Sequence, residues 1–300
     1  MYREDKGFFE IVLCEQVQVF RSTHKLKVGI NQAMDNLERG SAAIDWCENN
    51  YAIVPGIAEF YNTVSNILFF IIPPLLLYLF RQYAVWYNWH VNIMWILLMV
   101  VGIFSCYFHA TLSMFGQLLD EVAIIWVVLC GVALWYPRRY YPAKIHGSRK
   151  KFKQIMLVFT VASTGLAMVR PAVNSFVMMS FIGPCICMMI LELRRAQCPR
   201  VVKLGKTCAF LWVVSVTCWL SDRFLCDFWQ SLSLPYLHCA WHIMVFISAY
   251  TGCVLFAYFD AMNECPEMGP VLRYWPKDSW VNAGIPYVTL QCAGNKPGWD

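Results

Sequence analysis

The chain has 300 residues, 59% of them hydrophobic and only 14% charged, with a mean hydropathy of +0.48. Soluble chains run at roughly 45–50% apolar and about 25% charged, so a soluble enzyme is excluded. The formal charge of +5 is modest and its basic residues sit in short loops beside apolar runs, which excludes a nucleic-acid partner.

Residues 1–40 mix six acidic with six basic side chains and hold no apolar stretch long enough for a signal peptide, so they read as an N-terminal extension without an assigned role. Seven charge-poor apolar segments follow, at about 57–80, 89–109, 117–136, 154–170, 173–191, 206–221 and 237–259. Each approaches the roughly 20 residues that a membrane-crossing helix needs. The expected fold is therefore all-α, a polytopic seven-transmembrane helix bundle with its body at 41–260. The fourth span is the shortest, and Arg170-Pro171-Ala172 predicts a tight turn into the fifth, because proline ends one helix and permits the next. Residues 261–300, rich in proline and polar side chains, predict an irregular tail outside the bilayer. Of the fourteen cysteines most lie inside the spans, where cysteine is a small hydrophobe.

Arginine and lysine in short loops set orientation. Arg138, Arg139, Lys144, Arg149, Lys150, Lys151 and Lys153 follow the third span, and Arg194, Arg195, Arg200, Lys203 and Lys206 follow the fifth. The loops after spans two, four and six have almost none, which predicts a lumenal N-terminus and a cytosolic C-terminal tail.

On that topology Glu59, Ser105, His109, Asp120, Glu121, His238 and His242 all fall at lumenal span ends, and ionisable groups at membrane depth mark function by default. His238 and His242 are four apart, on one face of a helix, and can share one metal ion. Alone they would describe two interface histidines bonded to neighbours; His109 at the same depth, with Asp120 one short loop away, favours a metal. Three histidines leave a fourth position open, the arrangement of a catalytic zinc site. Asp120 is then the candidate base and proton donor, and Ser105, one turn before His109, a candidate oxyanion donor or a serine bonded back to its own helix. Asp45, Glu48, Asn50 and Glu59 supply hard oxygen ligands suited to calcium, or else a solvated acidic turn at a helix N-terminus.

The stretches Asp45-Trp46-Cys47-Glu48-Asn49-Asn50-Tyr51, Ile57 to Asn66, Tyr107-Phe108-His109-Ala110-Thr111-Leu112, Gln117-Leu118-Leu119-Asp120-Glu121 and His238-Cys239-Ala240-Trp241-His242-Ile243 together resemble the alkaline ceramidases. The resemblance runs from about residue 41 to the tail. It implies an intramembrane amidase that cleaves ceramide, drawn from the bilayer, to sphingosine and a free fatty acid. By position it implies zinc on His109, His238 and His242, with Asp120 activating water and Ser105 steadying the oxyanion. It also implies calcium on Asp45, the Trp46 carbonyl, Glu48, Asn50 and Glu59. Phe80-Arg81-Gln82-Tyr83-Ala84, Pro137-Arg138-Arg139-Tyr140 and Pro235 to Cys239 are similar to the Golgi (type 2) branch, implying a Golgi membrane with the endoplasmic reticulum as alternative. The competing class is a zinc-containing seven-span receptor of the adiponectin/progestin type, against which the acidic cluster before span one argues. A transporter is disfavoured because the span middles lack charge. Of the loop cysteines Cys14, Cys47 and Cys226 come out lumenal, and a bridge between Cys47 and Cys226 is expected, tying the acidic segment to the bundle.

Overall fold

Apolar runs of twenty residues satisfy their backbone groups within a helix, and that requirement sets the architecture of this chain, described here from a computed structural model over residues 35–145, 147–169 and 174–291. A short α1 (Phe60–Val64) runs through a 3₁₀ turn at Ser65–Ile67 into α2 (Leu68–Leu79) and α3 (Arg81–Trp86). The long helices are α4 (Val91–Thr111), α5 (Met114–Trp135), α6 (Arg149–Val169), α7 (Asn174–Arg195) and α8 (Pro199–Phe224). A six-residue α9 (Cys226–Ser231) precedes α10 (Leu237–Glu264). Among the described residues six stretches are long and apolar enough to cross a membrane: Phe60–Leu79, α4, α5, α6, α8 and α10. The fifth expected span coincides with α7, a 22-residue helix outside that group, which ends on Glu192, Arg194 and Arg195. The expected turn at Arg170-Pro171-Ala172, Cys14 and residues 1–34 lie outside the described residues.

Helix boundaries exceed the apolar runs. The fourth span begins at Arg149 and the sixth at Pro199, because basic side chains can lead a helix out of the bilayer and proline suits the first helical position. α2 contains Pro73 and Pro74, tolerated where neighbouring helices cover the freed carbonyls. α10 packs along α8, α4 along α5, and α2 crosses α4 at Gly102, where a Cβ would stand 2.5 Å from Phe69 Cβ. The core is built from Phe80, Tyr83, Trp95, Leu98, Phe246 and Leu255, while Ile71, Ile103, Val158, Phe210 and Val213 face outward as lipid-facing side chains do.

The tail departs from its expected irregular form. α10 continues to Glu264, and β1 (Pro270–Trp275) pairs antiparallel with β2 (Ile285–Leu290), Leu272 opposite Val288 and Tyr274 opposite Pro286. Alternate strand residues are buried beneath the bundle, giving the hairpin an apolar face. Gln82 of α3 binds both backbone groups of Leu290 (2.9 and 3.4 Å), and Asp278 accepts from Arg200 of α8 (2.8 Å) and from Arg273 (3.1 Å). Those bonds hold Asp278 below the usual carboxylate range, the Arg200 contact being the main cause.

Candidate metal centre

Tight local geometry brings the first histidine and the aspartate together. α4 ends at Thr111, Leu112 adopts φ 48°, and Ser113 caps α5 by accepting from Gly116 N (3.1 Å). A turn this short sets His109, in the last turn of α4, beside the start of α5, and the cavity described below takes in Asp120 together with Ser105. His238 and His242 arrive on the first turns of α10.

The start of α10 is anchored by a residue that motif reasoning passed over. Asp222, buried near the end of α8, accepts from His238 N through Oδ1 and from Cys47 N through Oδ2, both at 3.1 Å. A carboxylate there opposes the positive end of the helix. Cys47 and Cys226 are joined by a disulfide with Cα atoms 5.3 Å apart, so the acidic segment is held covalently against α9.

One ring nitrogen from each of His109, His238 and His242 lies within 4.8 Å of the others, and the three rings are buried. His109 Nδ1 meets Glu59 Oε2 at 2.5 Å, and His242 Nδ1 meets Ser65 Oγ at 2.7 Å. Both rings are thereby oriented through one nitrogen, leaving Nε2 for another partner. His238 stacks on the Trp46 indole with centroids 3.7 Å apart. His109 Nε2, His242 Nε2 and His238 Nδ1 are buried without a hydrogen-bond partner. Orphaned nitrogens cost stability unless something fills the space between them, and three neutral imidazoles suit a borderline-soft divalent ion. The residues present therefore fit a metal.

Beside them opens a cavity of about 210 Å³, reached by Ser105, Asp120, His238 and His242 and walled by Phe69, Leu98, Val101, Ile124 and Val245. Polar atoms are confined to a few side chains in an apolar enclosure, the form of a small-molecule site.

The acidic segment is arranged differently. Glu48 accepts from Tyr61 N (2.7 Å) and Asn62 N (2.8 Å), capping α1 from a distance, and Asp45 accepts from the Asn50 amide (3.1 and 3.0 Å). Glu59 accepts from Trp46 N (3.0 Å) and Asn62 Nδ2 (2.9 Å) besides meeting His109. Burial pushes the carboxyls of Asp45, Glu48 and Glu59 up, and the charge of Glu59 adds to the effect on the other two. The three share one electrostatic neighbourhood, with Asn50 and the Trp46 backbone beside them, and among the described residues no lysine or arginine pairs with any of them. The Asp45 and Glu59 carboxyls meet each other directly, while Glu48 is held by the backbone of Tyr61 and Asn62. Glu59, expected as a calcium ligand, also supports His109; Ser65 lies in the Ile57 to Asn66 stretch with no role expected of it, and Asp222 lies outside every stretch of resemblance, its polarity at the end of an apolar run being its sequence signal.

The ceramidase family model matches residues 38–289. The chain is 47% identical over 262 residues to an alkaline ceramidase of Drosophila melanogaster, covering 87% of this chain and 92% of the fly protein. It is 41% identical over 251 residues to alkaline ceramidase 1 of Homo sapiens, covering 84% and 95% of the two chains. Alkaline ceramidase 3 of Mus musculus is 25% identical over 267 residues, covering 84% and 93%. With a family model spanning most of its length and relatives matched nearly end to end, this chain belongs to the alkaline ceramidase family.

Proposed function

We propose that this protein is an intramembrane amidase that hydrolyses ceramide to a sphingoid base and a free fatty acid. The carrying observation is a cluster of three buried histidines, each with an orphaned ring nitrogen, beside an apolar cavity that His238 and His242 line together with Asp120 and Ser105, in a chain of this family. His109, His238 and His242 would hold zinc, which when bound supplies Lewis acidity for the amide carbonyl and makes a neighbouring water more acidic. Asp120 takes the proton from the attacking water and returns it to the departing nitrogen as the C–N bond breaks. Ser105 donates its hydroxyl to the oxygen on which negative charge develops. The apolar walls keep other water away from the reacting bond and match the hydrocarbon chains of the substrate.

Calcium is proposed on Asp45, the Trp46 carbonyl, Glu48, Asn50 and Glu59. Carboxyls pushed up by burial and by one another are relieved by a divalent cation, and among the described residues no arginine or lysine forms an ion pair with their carboxylates. A lumenal orientation of the proposed metal centre is supported by its sharing the disulfide's end of the bundle, since disulfides persist in oxidising compartments. The basic loops supply the matching cytosolic signal, with seven spans in all and residues 261–300 on the cytosolic side. The short stretches similar to the type 2 branch favour a Golgi membrane.

The test is incubation of purified protein with a panel of ceramides, with and without a zinc chelator, reading released sphingoid base. Chelator-sensitive release is expected. Zinc-loaded protein that releases no base from any ceramide would overturn the amidase in favour of the receptor class.

A further inference from the structure

A second polar group reaches the same cavity, outside the machinery just described. Glu121 follows Asp120 on α5; its Oε1 accepts from Gln117 Nε2 (2.9 Å), one turn earlier, and its Oε2 accepts from Asn174 Nδ2 at the start of α7. Both amides turn their NH₂ groups toward the Glu121 carboxyl oxygens. The two amide carbonyls, Gln117 Oε1 and Asn174 Oδ1, are turned away from Glu121, and both are buried without any donor. Gln117 is 5% exposed and Asn174 4% exposed, and all three residues line the cavity.

Two buried acceptors, oriented by a common carboxylate and lacking donors, match a ligand that brings two donors. Ceramide is a 2-amido-1,3-diol: hydroxyls at C1 and C3 flank the carbon that bears the amide nitrogen. A pose that presents the amide to Asp120 therefore carries both hydroxyls into the same cavity. We propose that Gln117 and Asn174 form a diol-recognition subsite that reads the two sphingoid hydroxyls, with Glu121 as the positioning residue that holds both amides in register. The inference rests on the amidase reading and assigns the specificity for the sphingoid head to residues outside the metal and proton-transfer set.

The experiment compares kcat/KM for ceramide, 1-deoxyceramide and 3-O-methylceramide, matched in acyl chain, in the unmodified zinc-loaded protein and in Gln117→Met, Asn174→Leu and Glu121→Gln. Bound zinc per chain is measured in each preparation as the control for folding. The unmodified protein should prefer ceramide over each analogue by about 10–100-fold, because an analogue lacking a donor leaves a buried acceptor unpaired. Gln117→Met and Asn174→Leu should lower ceramide turnover by a similar factor, leave zinc content and turnover of one analogue nearly unchanged, and so collapse the preference. Glu121→Gln should weaken discrimination against both analogues together. The analogue comparison on unmodified protein needs no variant to fold. Equal kcat/KM for the three substrates, or parallel losses on all of them in the variants, would overturn the subsite and assign those acceptors to water. Absence of turnover on any ceramide would overturn the amidase reading and this inference with it.

Discussion

At the scale of single residues, each histidine of the centre has a distinct support. His109 leans on Glu59, His242 on Ser65, and His238 on the Trp46 ring with its backbone N–H on Asp222. Replacing His109, His238 or His242 with alanine should remove bound zinc together with turnover, since three protein ligands leave little redundancy. Asp120→Asn should retain zinc while turnover falls about 10²–10⁴-fold, the worth of general acid–base assistance. Metal content measured beside sphingosine release in the same preparations decides it, and full turnover in Asp120→Asn would remove the water-activating role. Glu59 and Asp45 should part company although both belong to the proposed calcium set. Asp45→Ala should lower chiefly the calcium response, because its side chain meets Asn50 and Glu59 rather than a histidine. Glu59→Ala should also weaken zinc affinity, by about 10–100-fold, the usual cost of losing the group that orients a ligating imidazole. Competitive zinc titration of both variants reads the difference; identical zinc affinity in the two would mean that the Glu59 to His109 contact does nothing for the metal.

Among the elements, one device positions the histidine cluster and a second closes the opposite end of the bundle. The α4–α5 turn depends on Ser113 as cap and on Leu112 in left-handed backbone, with the Leu112 side chain buried against Ala58 and Phe108. Ser113→Ala should cost about 1 kcal/mol, the typical worth of an N-cap, in reversible detergent denaturation. The hairpin is the second device, pinned at Asp278 to Arg200 and Arg273. A carboxyl held below its ordinary pKa stabilises above the unfolded value of about 4, and that contribution disappears as pH falls through the folded pKa. Hydrogen exchange at Tyr274 and Val288 should accordingly quicken as pH is lowered beneath about 4, after correction for the intrinsic rate. Asp278→Asn should be less protected at neutral pH and lose that dependence. A profile unchanged by the substitution would show that apolar packing alone docks the hairpin.

Across the molecule as a whole, the three-histidine cluster, the disulfide and the acidic segment share one end of the bundle, while the hairpin and the arginine-rich loops share the other. At that second end Arg149 pairs with Asp260 (2.7 Å) and Glu264 (3.3 Å), Arg138 with Glu264 (3.0 Å), and Arg139 with the buried Glu192, so α6 and the loop after α5 are tied to α7 and α10. Terminal tags in sealed microsomes should show a protease-protected N-terminus and a digestible C-terminus. The reverse pattern would put the disulfide and both proposed metal sites in the cytosol.

Whatever depends on length, polarity and local spacing is legible in the residues alone. A twenty-residue apolar run must become a helix in lipid, so the all-α membrane bundle was legible, as was the pairing of His238 with His242 one turn apart. Position within the spans also puts His109 and Asp120 at the depth of that pair. Tertiary structure alone decided contacts between residues 16 to 177 positions apart: Asp222 on His238, Glu59 on His109, Ser65 on His242. Those bonds leave no periodic trace, because a single polar side chain beside an apolar run reads the same whether it caps a helix, supports a ligand or faces water. The hairpin stayed hidden for a related reason. Pro270 and Pro286 interrupt its two short alternating stretches and a nine-residue connector separates them, so only docking against Gln82 and Arg200 reveals the pairing.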